Sequence, residues 1–126
     1  MMPKVIVMEK IVEQTMLYDF YGELLTDRQK EIYEDIVFND LSLSEAAADY
    51  GISRQGVHDV VRRVDHTLAG YEEKLHLVEK FRMTKALADE ILQVSGDLRK
   101  ELSDADRKTL DALSEIERAA VKIKEL

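Results

Sequence analysis

Apolar positions recur along this chain at helical spacing, and the most informative recurrence falls between residues 43 and 63, where two short runs meet at Gly51. Ser42 with Glu45 three residues on reads as a capping box opening the first run. Ala46, Ala47 and Tyr50 form its inward stripe, with Ala47 the small residue where a second helix crosses closely. Gly51 supplies the left-handed backbone between the runs. Ile52 plugs the turn and Ser53 caps the second run. Val57, Val60, Val61, Val64 and Leu68 then repeat at i, i+3, i+4, i+7 and i+11, one face of a second helix. The pattern predicts a helix-turn-helix.

The same spacing organises the flanks. Ile11, Val12, Met16, Leu17, Phe20, Leu24 and Leu25 predict a helix from about residue 9, with Tyr18 and Tyr21 at the margins of its apolar face as core rings with wet hydroxyls. Residues 1–8 hold the only proline and read as a loose tail. Thr26 with Gln29 caps a helix running to about Phe38, with Ile32, Tyr33, Ile36 and Val37 inward. Residues 9–70 thus form a small bundle. Gly70 interrupts the pattern, and residues 71–126 form a C-terminal extension. Its first run, Tyr71 to Leu102, carries Leu75, Val78, Phe81, Leu87, Ile91, Val94 and Leu98, with Gly96 marking a bend or an end. Ser103 to Asp106 restart a helix with acidic residues in its first turn. In that last helix Leu110, Leu113, Ile116, Ala120 and Ile123 make a narrow seam that wants a partner helix. A homodimer through this seam is the expectation, and an intrachain hairpin with Leu87 to Leu98 is the alternative.

Subtracting the buried stripe of the second motif helix leaves Ser53, Arg54, Gln55, His58, Asp59, Arg62 and Arg63 on its outer side. Arg pairs with guanine and Gln with adenine in a major groove, which suits Arg54 and Gln55 at the start of a recognition helix. Ser53, Arg62 and Arg63 then fall to phosphates or flanking groups. As plain chemistry these are also the polar residues any helix shows to water.

Composition narrows the choice. The chain has 126 residues, 45% of them hydrophobic, no Cys and a net charge of −8. That is enough for a modest all-α core, without disulfides or thiolate metal sites, and consistent with the cytoplasm. No apolar run is long enough to insert in a membrane. His58, His66 and His76 are too irregularly spaced to share a helical face as metal ligands. No phosphate loop or catalytic constellation appears, so neither an enzyme nor a cofactor is expected. The negative charge repels nucleic acid at long range, so contact with double-stranded DNA requires a locally basic face, which Arg54, Arg62 and Arg63 provide sparingly.

Between Asp19 and Phe81 the sequence resembles the YlxM family, through DFYGELLT at Asp19 to Thr26, LSLSEAA at Leu41 to Ala47, SRQGV at Ser53 to Val57, YEEKL from Tyr71 and LVEKF from Leu77. The resemblance implies a motif similar to region 4 of sigma factors, which reads promoter DNA. It also implies a place in the signal recognition particle pathway, since the family is encoded beside that particle's GTPase. A DNA-binding regulator is therefore the leading expectation. An adaptor of the targeting machinery that no longer binds DNA is the alternative, and binding of a structured RNA is a third possibility.

Overall fold

Six α-helices and no strand make up the described residues, 4–126, in a computed structural model of the chain. In order they are α1 (Lys4–Tyr21), α2 (Asp27–Tyr33), α3 (Leu43–Tyr50), α4 (Arg54–Leu75), α5 (Leu77–Glu101) and α6 (Arg107–Glu125). The chain divides into two units, Met1–Val78 and Glu79–Leu126. Part of the expected tail, residues 1–3, lies outside the described residues. The backbone from Lys4 onward is already helical, where the apolar spacing suggested a start near Glu9.

In the first unit, Leu17 and Tyr21 of α1, Leu25, Tyr33 of α2, Val64 and Leu68 of α4 and Val78 pack as one buried cluster. A second cluster, Ile32, Ala46 and Val57, sits inside the helix-turn-helix, and Val60 and Val61 touch both. The buried face of α1 is narrower than its apolar residues suggest, because Ile11 and Val12 are exposed while Gln14 is buried. After α1 the chain tightens into a 3₁₀ turn at Gly22–Leu24, which directs Leu25 inward. Thr26 and Gln29 complete their capping box, and α2 ends in a wide π turn over Glu34–Phe38. Tyr21 is a core ring as expected, but its hydroxyl is not wet: it donates to Glu72 Oε1 at 2.6 Å.

The break after α4 falls at His76, whose backbone is left-handed (φ 55°), and not at Gly70, which α4 absorbs. Helix α5 restarts at once because its first amides find distant acceptors. Leu77 N–H donates to Tyr21 Oη at 3.1 Å and Val78 N–H to Glu72 Oε1 at 3.0 Å. A long-range cap of this kind leaves no mark in local sequence.

The second unit is an antiparallel hairpin of α5 and α6. Arg99 bonds Glu117 at 2.7 Å and Ser114 Oγ at 3.1 Å, Ser95 Oγ donates to Glu117 at 3.0 Å, and Lys124 pairs with Asp89 at 2.6 Å. Arg99 holds the Glu117 carboxyl below its usual pKa, with Ser95 helping. Gly96 does not end α5, which runs on to Glu101. The acidic restart is displaced: Asp104 and Asp106 lie in the connection before α6, where Asp106 accepts from Ser103 N–H at 3.1 Å and makes no side-chain cap.

Candidate nucleic-acid interface

Four local devices build the motif. Ser42 Oγ accepts Glu45 N–H at 3.1 Å to start α3, which is only one half of a capping box. Gly51 closes α3 in the left-handed conformation at φ 66° and ψ 35°, the role assigned to it by position. Its open surroundings, with nothing within 4 Å of an added Cβ, show that backbone conformation and not space demands glycine. Ser53 Oγ then accepts Gly56 N–H at 2.9 Å and starts α4. Ala46 is the fully buried residue of α3, packed with Ile32 and Val57. Ala47, expected in that place, is only half-buried.

Helix α4 buries Val57, Val64 and Leu68 completely, which fixes its rotation about its own axis. Arg54, Gln55, His58, Asp59, Arg62 and Arg63 are all exposed as a result. They do not form a uniform basic strip. Gln55 Nε2 donates to Asp59 Oδ1 at 3.0 Å, so the amide that would read a base is held by a carboxylate one turn along. The Ser53 oxygen is occupied as the cap acceptor, while its O–H proton remains available to donate.

Farther along α4, Asp59, Arg62, Arg63, His66 and Thr67 line an open cleft of about 580 Å³ together with Gln29 of α2. Gln29, His66 and Thr67 were not among the residues expected here. His66 was legible from spacing, lying four residues after Arg62 and seven after Asp59 on one helical face. Gln29 was not, because only the packing of α2 beside α4 brings it there. Among the described residues no group of three His, Asp or Glu side chains is placed to hold a metal ion, and no helix is long and apolar enough to cross a membrane.

In the second unit the predicted seam divides. Leu113 and Ala120 are buried in the hairpin, Leu110 and Ile123 are half-buried, and Ile116 is exposed.

A left-handed glycine between a short capped helix and a longer one with an exposed polar face defines the helix-turn-helix class. The chain belongs to the UPF0122 family, whose description reads "Putative helix-turn-helix protein, YlxM / p13 like" and whose model matches residues 8–119. Similar relatives span several bacteria. A UPF0122 protein of Caldanaerobacter subterraneus subsp. tengcongensis is 56% identical over 66 residues, covering 52% of this chain and 56% of the relative. One from Thermoanaerobacter sp. is 41% identical over 104 residues, covering 82% and 87%. One from Listeria innocua serovar 6a is 35% identical over 111 residues, covering 86% and 98%. No solved structure matches the chain.

Proposed function

We propose that the protein is a non-enzymatic regulator that binds double-stranded DNA through the N-terminal half of α4. The observation that carries this reading is the rotation of α4. Complete burial of Val57 and Val64 turns Arg54, Gln55, Arg62 and Arg63 outward, at the start of the second helix of the motif. There Arg54 reads a base edge, while Arg62, Arg63 and the Ser53 hydroxyl meet phosphates. The Gln55–Asp59 bond bears on that reading: Asp59 takes one of the two Gln55 Nε2 protons and orients the amide, while the second N–H and Oε1 remain for adenine.

Charge sets the character of such binding. Residues 1–78 hold eight Lys and Arg against fifteen Asp and Glu, so this unit carries −7 of the chain's −8. Non-specific attraction to phosphate is therefore weak, and affinity depends on base contacts and low salt.

The same charge favours a second reading, an adaptor that keeps the fold and docks on a basic protein partner. The resemblance to the YlxM family ties either reading to the signal recognition particle pathway. Selection from a random duplex pool, with the particle RNA in parallel and a salt series, tests the proposal. Enrichment of a duplex motif that Arg54→Ala abolishes supports it. No enrichment at any salt refutes DNA binding and leaves the adaptor.

A further inference from the structure

Within the α5–α6 hairpin, α5 turns small residues inward and leaves most of its large aliphatic ones in water. Beyond Val78, which belongs to the first unit, the buried positions of α5 are Ala88 and Ser95, seven residues apart. Its aliphatic row, Leu87, Ile91, Val94 and Leu98, is between 39% and 63% exposed. On α6 the buried positions are Leu113 and Ala120, and Ile116, three residues past Leu113, is 49% exposed. In an antiparallel pair, residues offset by the same rotation from the inward line fall on the same side of both helices. Ile91 and Leu98 lie three residues past Ala88 and Ser95, just as Ile116 and Ile123 lie three past Leu113 and Ala120. One face of the hairpin therefore carries two adjoining aliphatic rows, with the small residues Ala112 and Ala119 beside them on α6. The opposite face is different in kind: there Leu92 and Val121 border a shallow cleft with Ser114, Glu117, Arg118 and Lys122.

We infer that this face docks on the same face of a second copy of the chain, making a four-helix bundle from two hairpins. The spacing is self-complementary: Leu87, Ile91, Val94 and Leu98 step by four, three and four, the repeat of a helix seam. The exposed parts of these side chains with Ile116 amount to about 500 Å² of apolar surface per copy, or about 1,000 Å² for the pair, the size at which a stable interface begins. Register follows from the hairpin itself, where the Asp89–Lys124 and Arg99–Glu117 pairs fix it. A two-fold axis parallel to the helices lays α5 of one copy over α6 of the other at that same level. Glu90, two residues past Ala88, then comes level with Lys122 of the partner subunit, two past Ala120, as opposite charges. One heptad on, Asp97 meets Glu115 of the partner subunit as like charges at the exposed rim, so apolar area and not charge holds the copies together. This inference does not rest on DNA binding. It also moves the interface from the α6 seam, where Leu113 and Ala120 are occupied within the hairpin, to the α5 row.

Sedimentation equilibrium of the full chain tests it. The unsubstituted chain is expected to be dimeric at tens of micromolar, a concentration range of about 10⁻⁵ M. Val94→Glu and Leu87→Glu should each raise the dimer Kd at least tenfold with unchanged helical circular dichroism. Val121→Glu, on the opposite face, should leave it unchanged. Should a glutamate cost helicity, Val94→Ser and Leu87→Ser are held to the same tenfold criterion. A chain that stays monomeric at these concentrations overturns the proposal, as does Val121→Glu weakening the dimer as much as Val94→Glu.

Discussion

Gln14 of α1 donates its side-chain amide to both carboxylate oxygens of Asp65 on α4, at 3.0 and 3.2 Å. The fully buried Tyr33 adds a second donor, its hydroxyl reaching Asp65 Oδ1 at 2.5 Å. One carboxylate thus joins α1, α2 and α4 beside the larger core cluster. Asp65→Ala leaves two donors without their acceptor and is expected to cost about 2–3 kcal/mol, while Tyr33→Phe removes one donor and costs about 1–1.5 kcal/mol. Urea unfolding of both variants checks the order. Equal losses would mean that Gln14 contributes nothing to the joint.

The same bonding pattern predicts how the fold fails in alkali. Tyr18, Tyr21, Tyr33 and Tyr50 each donate to a carboxylate, on Glu34, Glu72, Asp65 and Asp35 respectively. Burial and then the bond to Asp65 push the Tyr33 hydroxyl well above its ordinary range. Burial leads for Tyr18 and Tyr21 as well, whereas the Asp35 bond leads for Tyr50, raised to about 12. A raised folded pKa means the native state holds these protons when the unfolded chain has lost them. Their stabilisation is therefore complete below the ordinary tyrosine value of 10.0 and declines as pH rises above it. Tyr33→Phe should lessen the steepness of that decline between pH 10 and 12, read from thermal midpoints across the range.

At the turn, Gly51→Val is expected to destabilise the first unit by about 1–3 kcal/mol, since a β-branched residue is forced to positive φ. Gly51→Asn should cost less, because asparagine visits that conformation more readily. Space is not limiting at this position. Thermal midpoints in the order Gly, Asn, Val are therefore the expected result. Valine at parity with glycine would contradict a purely conformational origin.

Packing in the motif gives a prediction with an internal control. Ala46 is fully buried against Ile32 and Val57, so Ala46→Leu overfills the α3–α4 crossing and should cost about 1–3 kcal/mol. Ala47→Leu, one position further round the helix and half-exposed, should cost under about 1 kcal/mol. The measurement is chemical denaturation of both.

Within the hairpin, Glu117→Gln removes the charge that Arg99 and Ser95 hold. Since the folded carboxyl titrates below its usual value, its contribution is present above the unfolded pKa and is lost on acidification through the folded one. Hydrogen exchange of α5 and α6 amides at neutral pH should be faster in Glu117→Gln than in the parent. The difference should shrink once the pH falls below the carboxylate range.

Local sequence determined the features that one helix or one turn settles alone. Gly51 is the residue that accepts a left-handed backbone cheaply, Ser53 is the cap whose oxygen meets an orphan N–H, and Val57, Val64 and Leu68 share a face whatever lies opposite. These three facts dictate the outward set on α4, and the same spacing one turn further reaches His66. Tertiary structure alone decided the features that depend on a partner's shape. Whether Ala46 or Ala47 meets α4 turns on a rotation of α3 that neither side chain reveals. That α5 starts at Leu77 depends on a phenol and a carboxylate delivered by α1 and α4. Most of all, the row of α5 that faces α6 is the one with small side chains, Ala88 and Ser95, beside which Ser95 and Arg99 bond Glu117. The aliphatic row that dominates its hydrophobic pattern is left outside, because periodicity identifies an apolar face without saying which helix, in this chain or another, will cover it.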